Sequence, residues 1–353
     1  MSINLVVRLR EKWNKEVRRR WRMLSMPDSF AEKRAIYSYQ KEIIRRSFLP
    51  FDSIEELSRP IPIEWVDACA LDMRESLYYG ALPVLMDYAG LSGLTMPPVN
   101  LGVQHGYVFE ICNWEKSKLE KRNLVWSRKL VEMYREYTDN PDIYSIGAAY
   151  FYARPLLDNH QFAEERNRLG KNLLAFPMHS QSNVDTNYDP KKFLNVLEEE
   201  RKRFDTVRVC MYWKDILRGA HKVYLDAGFE CVCNGHIYDL NFLRRQKTLF
   251  ELADATISNG VGSHIGYSLY SGKPHWLIDD EYEYVNTHKS GDAKDLTDVT
   301  LKDNFLSVKN AFLNNSEYTI TQQQKDVVDV FWGLSDIKKN EELKEILLKL
   351  YDL

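Results

Sequence analysis

From residue 172 onward, short apolar runs alternate with amphipathic stretches in a pattern that few folds can accommodate. Residues 172–177, 206–212, 230–233, 255–258 and 275–278 read as strands. Between them lie helical stretches: 190–204, with Phe193, Val196 and Leu197 on one face, 214–227 ended by Gly228, 240–253, and 262–270 ended by Gly272. Strands joined by helices can share a sheet only as parallel neighbours, because each crossover must return to the same edge. The spacing therefore predicts a doubly wound parallel sheet.

The same texture appears, less cleanly, earlier in the chain. Residues 99–104, 122–127 and 142–146 read as strands, and 129–137 as a helix. Residues 28–95 look mostly helical, interrupted by Pro60 and Pro62, and 158–170 is a polar helical linker. From Thr321 the tail reads as two amphipathic helices. At about 150 residues per domain, 353 residues suggest two. The expected class is α/β, with two Rossmann-like domains facing a central cleft and helical extensions at both ends. The expected units are residues 1–165, 166–320 and a tail of 321–353.

A composition of 44% hydrophobic and 28% charged residues is enough for two cores. A net charge of −3 argues against a nucleic-acid binder. The five cysteines form no CxxC pair, which points to buried thiols in a reducing cytoplasm and to no structural metal. No run approaches the ~18 apolar residues of a membrane helix. Residues 1–22 are different in kind. Arg8, Arg10, Lys12, Lys15, Arg18, Arg19, Arg20 and Arg22 outweigh Glu11 and Glu16, and Trp13 and Trp21 join an apolar face at helical spacing. Such a helix suits the inner surface of an anionic membrane. It also suits a helix packed on the body with a solvated basic face.

Four polar clusters each follow a strand. Ser258-Asn-Gly-Val-Gly-Ser-His264 places a tight glycine turn before a helix, where N–H groups and the helix dipole favour an anion. Its bland counterpart is an ordinary turn that needs small residues. Gly102-Val-Gln-His-Gly106 puts His105 at the carboxyl edge of a sheet, where ligands bind in open α/β folds, and an imidazole there suits a general base. His105 would equally serve as a structural histidine. His179 and Ser180 follow the strand at 172–177, in a segment running on to Ser182, Asn183 and Asp185 that also reads as a polar loop. His236 and Asp239 follow the strand at 230–233, with Asp239 read chiefly as a helix cap. Together the clusters outline one crevice. The glycine spacing is not that of the dinucleotide fingerprint, and the chain has no GxxxxGK[ST], GxSxG or HExxH motif and no Asp-x-Asp triplet.

Over residues 99–280 the chain resembles the GT-B glycosyltransferases of bacterial capsule and lipopolysaccharide assembly. The resemblance lies in Val103-Gln-His-Gly106, Phe176-Pro-Met-His-Ser180 and Ile257-Ser-Asn-Gly-Val-Gly-Ser-His-Ile-Gly-Tyr-Ser-Leu-Tyr-Ser-Gly-Lys-Pro274. It implies a nucleotide-sugar donor in the second half, a saccharide or lipid-linked acceptor in the first, and no cofactor or required metal. Carried over, Ser263 and His264 would contact the donor phosphate and His105 would be the base. His179, Ser180, His236, Ser258, Asn259, Gly260 and Gly262 complete the expected donor set, and Gln104 and Gly106 the acceptor set. No Glu-x7-Glu pair follows the donor turn, which favours direct displacement, with closure of the halves expelling water. The chain departs from the family in opening with a long helical region. A nucleotide-sugar 2-epimerase, a pyruvyl or polyol-phosphate transferase, and a non-catalytic component of an assembly complex remain alternatives.

Overall fold

The structure, a computed structural model, describes residues 30–61, 74–92, 101–116, 119, 121–181, 183–287 and 292–352. The second half is built on β4 (Asn172–Phe176), β6 (Thr206–Met211), β7 (Glu230–Cys233), β8 (Ala255–Ser258) and β9 (His275–Leu277), after the strands β1 to β3 and β5 given below. All pair in parallel, in the order β7-β6-β4-β8-β9. The chain starts in the middle, winds outward one way through β6 and β7, then returns to β8 and β9 on the other side. The winding direction reverses between β4 and β8, where Phe176 lies opposite Ser258. β4 and β8 are buried at every residue, as strands covered on both faces must be.

The first half carries a smaller parallel sheet of β1 (Leu101–Val103), β2 (Arg122–Val125) and β3 (Ile143–Ser145), in that order. The helix Arg128–Arg135 packs beside it, capped by Ser127, whose side chain accepts from the Leu130 amide. The tail helices Gln322–Trp332 and Asn340–Leu350 cross back to this half. Leu343, Leu347 and Leu350 share a core with Leu85 and Leu101. Trp332 is fully buried between the halves. Its ring stacks on Trp126 at 6.4 Å, and its indole N–H donates to the Ser263 carbonyl at 3.0 Å. Gly266 makes this docking possible, because a Cβ there would lie 2.3 Å from the Trp332 ring.

One apolar cluster runs unbroken from the first sheet through the tail to the second sheet, joining Val103, Trp126, Trp332, Ile265 and Phe176. A core of that kind resists sliding of one half against the other. The expected closure of the halves therefore has a packed core to break.

Two elements differ from the expected pattern. The helix expected over 214–227 is two short helices, Trp213–Leu217 and Lys222–Asp226, because Gly219 takes φ +81 between them. The stretch read as a polar loop contains β5 (Val184–Tyr188), paired antiparallel with β10 (Tyr282–Asn286). Val184 and Thr186 face inward, while Asp185 and Asn187 between them carry the turn-like composition that hid the alternation. The expected basic helix at 1–22 and Ser182 lie outside the described residues. No helix among the described residues is long and apolar enough to cross a membrane.

Candidate functional site

The reversal point between β4 and β8 is where an open α/β sheet leaves a crevice at its carboxyl edge. Here the two loops are tied together. The Asn259 amide oxygen accepts from the Met178 amide at 2.6 Å, and its nitrogen donates to Asp280 at 2.8 Å. Gly260 lies so close to Met178 that a Cβ would sit 2.2 Å from its sulfur. Ser258 is buried; its hydroxyl donates to the Gly260 carbonyl at 2.9 Å and lies 3.0 Å from Nε2 of His275. These residues shape the turn; their polar atoms are already used.

Beyond the turn, Ser263 occupies the N-cap position of the helix His264–Tyr270, and its side chain caps no backbone amide but meets the Tyr267 phenol. His264 stacks flat on Phe176, with ring centroids 4.8 Å apart. Burial, with His275 and His179 adding to it, pushes His264 well below the ordinary imidazole range. The ring hydrogen-bonds the Gly260 backbone, and Nε2 is buried with no hydrogen-bond partner. A neutral ring donating to a carbonyl leaves Nε2 as an acceptor. That nitrogen is buried and offers no donor to the phosphate expected there.

His179 has Nδ1 2.8 Å from the Ser180 carbonyl, and its ring lies against Tyr212 at 4.7 Å. The Ser180 hydroxyl donates to Asp215 at 2.6 Å and accepts from Thr186 and Arg218, so it braces β5. His236 is buried against Trp213 at 4.4 Å, and burial together with Arg46 pushes it down to about 4. Asp239 forms a buried ion pair with Arg245 at 2.9 Å, and its other carboxylate oxygen accepts at 2.9 Å from the amide of Asn241, the N-cap residue of the helix Phe242–Leu252.

The opposite wall comes from the end of β1. The Gln104 side chain accepts from the Trp126 amide at 2.6 Å and donates to the Gly106 carbonyl at 2.8 Å. It clamps the loop on which His105 sits. His105 has Nδ1 3.4 Å from the Val103 carbonyl. Nothing lies within 4 Å of where a Gly106 Cβ would be, leaving that edge open.

These walls face each other across a cleft of about 460 Å³. Gln104, His105, Gly106, His179, Ser180, Ser263 and His264 line it; His236, Ser258, Asn259, Gly260 and Gly262 do not. Among the described residues its wall carries no lysine or arginine. An anion there would rely on backbone amides and helix dipoles. No cluster of three metal-ligating side chains occurs among the described residues.

Sequence reasoning missed the aromatic floor. Tyr79 adopts φ +58, which is unusual for a bulky residue and marks strain held by its surroundings. Its amide donates to the Ile237 carbonyl at 2.6 Å, its hydroxyl meets that of Tyr212 at 3.0 Å, and its ring lies 5.8 Å from His105. Next to it, Gly80 approaches the Leu240 carbonyl so closely that a Cβ would sit 2.3 Å away. The Tyr78-Tyr79-Gly80 triplet carried only a faint turn signal. Burial pushes the phenols of Tyr79, Tyr107, Tyr212 and Tyr267 up, so all stay protonated near neutral pH. Glu115, buried and accepting from Tyr134 at 2.5 Å, also lines the cleft and had no sequence signature.

No protein-family model and no curated protein matches the chain. Among solved structures it is similar to the wall teichoic acid polymerase TagF, at 14% identity and TM-score 0.37, covering 73% of this chain and 64% of that one, under two thirds of its length. It is similar to UDP-GlcNAc 2-epimerase from Methanocaldococcus jannaschii, at 12% identity and TM-score 0.33, covering 77% and 82%. It is also similar to the E. coli ADP-heptose lps heptosyltransferase II, at 14% identity and TM-score 0.30, covering 89% and 93%.

Proposed function

We propose that the protein is a glycosyltransferase that moves a sugar from a nucleotide-sugar donor to a saccharide or lipid-linked acceptor, in the building of cell-surface polysaccharide. One observation carries the reading: His105, past the end of β1, and the reversal point of a doubly wound sheet line one cleft. His105 takes the proton of the acceptor hydroxyl. The helix start at Ser263, on the cleft wall, offers backbone dipoles to the departing nucleotide phosphate. The displacement is direct and calls for no metal. The setting is the cytoplasm, with residues 1–22 holding the enzyme to an anionic membrane.

A thermal-shift screen across UDP-, GDP-, CMP- and dTDP-sugars, followed by incubation of the best binder with and without acceptor, tests this. A ligand at 100 times its Kd stabilises by about 2.7 kcal/mol. Transfer that requires an acceptor supports the reading. An epimerised sugar formed without acceptor would assign the cleft to epimerase chemistry, and no binding at all would leave a non-catalytic role.

A further inference from the structure

The segment Tyr78–Gly80 enters the cleft between its walls and touches both halves. On one side it is held to the second half. The Tyr79 amide donates to the Ile237 carbonyl at 2.6 Å, and Gly80 abuts the Leu240 carbonyl. The Tyr79 ring lies 4.6 Å from that of Phe242, and its hydroxyl lies 3.0 Å from that of Tyr212, the residue after β6. On the other side the segment meets the first half. The Ser76 hydroxyl just before it donates to the Leu101 carbonyl of β1. Tyr78 meets the His105 ring edge-on at 4.9 Å, and Tyr79 lies against it at 5.8 Å. His105 thus rests on rings that are anchored to the opposite wall.

The backbone of Tyr79 sharpens the point. At φ +58 a bulky side chain is strained, and glycine or asparagine would be less so. Strain of this kind persists where the surroundings over-determine the residue, and it gathers at functional sites. What tyrosine supplies that asparagine would not is a ring on His105 and a phenol on Tyr212. Burial pushes that phenol up, so it stays protonated and the contact holds near neutral pH. A general base must lie within hydrogen-bond reach of the proton it takes, and small displacements are costly. We infer that Tyr79 is a positioning residue: its ring sets the His105 imidazole in place relative to the second-half wall, and its hydroxyl, through Tyr212, fixes the ring. The inference rests on the transferase reading for what His105 does, and on geometry for where Tyr79 holds it.

Three variants of the full chain test it. Tyr79→Asn removes the ring and suits the backbone. Tyr79→Phe and Tyr212→Phe each remove one side of the hydroxyl contact and keep both rings. Isotope-labelled histidine gives ring-proton signals for the eight histidines, and His105→Ala identifies the one that belongs to His105. Transfer is assayed at saturating donor and acceptor, with the nucleotide sugar that binds best, and donor affinity is titrated separately. In Tyr79→Asn the His105 signal should move and kcat should fall by about tenfold to a hundredfold, while donor affinity holds. In each phenylalanine variant the signal should stay near its place and kcat should fall by no more than about threefold. The double phenylalanine variant should lose no more than either single one, because both cut the same contact. General damage to packing would lower donor affinity along with kcat, so the split between them separates positioning from folding. An unmoved His105 signal, or wild-type kcat in Tyr79→Asn, overturns the inference and leaves the transferase reading standing. Tyr79→Phe falling as far as Tyr79→Asn also overturns it, since the hydroxyl would then act on the substrate itself. A wild type that transfers to no acceptor overturns the transferase reading. The His105 signal then decides the placement alone: moved in Tyr79→Asn, it upholds the inference; unmoved, it overturns it.

Discussion

Among the single residues of the cleft, those expected to bind divide by whether their polar atoms are already committed. Gln104, Ser180, Ser258 and Asn259 spend theirs on neighbouring loops. Ser263 stands at the cleft wall without capping its own helix. Ser263→Asp places a negative charge where the phosphate is to sit, and should reduce donor affinity by at least tenfold while circular dichroism stays unchanged. Retained affinity would move the phosphate elsewhere. The buried histidines make a second prediction. Burial and Arg46 push His236 down to about 4, and burial pushes His275 down to about 3. Both are depressed, so the unfolded chain takes up protons first as the pH falls. Their stabilisation is whole above the ordinary 6.5 and is lost on the way down to 4 and 3. Each contributes a slope of about 1.4 kcal/mol per pH unit. Urea unfolding near pH ~7 and pH ~5 should show stability falling with acidification; equal stability would mean that these imidazoles are solvated.

Where an element is long and strictly patterned, the sequence showed it. β7 and β8 stand at the expected residues, since an apolar run bounded by Gly228 before and by Asn234 or Asn259 after leaves little choice. What stayed hidden depends on partners distant in the chain. β5 is a strand because β10, far along the sequence, pairs with it. Tyr79 reaches the cleft floor because the segment 237–240 holds it in a strained conformation. Of the candidate site, the loops after the strands were legible, while the division into braces and contacts was not, because hydrogen-bond partners are set by tertiary packing. The tail helix Gln322–Trp332 carries its own prediction. Trp332→Ala should cost about 3–5 kcal/mol, measured by chemical denaturation, and should weaken donor binding because the Ser263 carbonyl loses its indole partner. A loss under about 1 kcal/mol would mean that the helix does not tie the halves together.

Among the described residues, two parallel sheets, the antiparallel pair β5–β10 and a returning tail surround a shared core, with a cleft between unlike walls. Because the apolar cluster crosses from half to half, unfolding should be a single transition, with tryptophan fluorescence and far-UV dichroism coinciding. Two separated transitions would mean that the shared cluster does not couple the halves. The cleft's division of labour is the central claim: a base on the first wall and the donor on the second. The most direct measurement is His105→Ala, assayed for transfer and, separately, for donor binding. The account predicts that kcat falls by roughly 10²–10⁴ while donor affinity stays nearly unchanged. Full turnover in the variant, or a loss of donor affinity with turnover preserved at saturation, would contradict it.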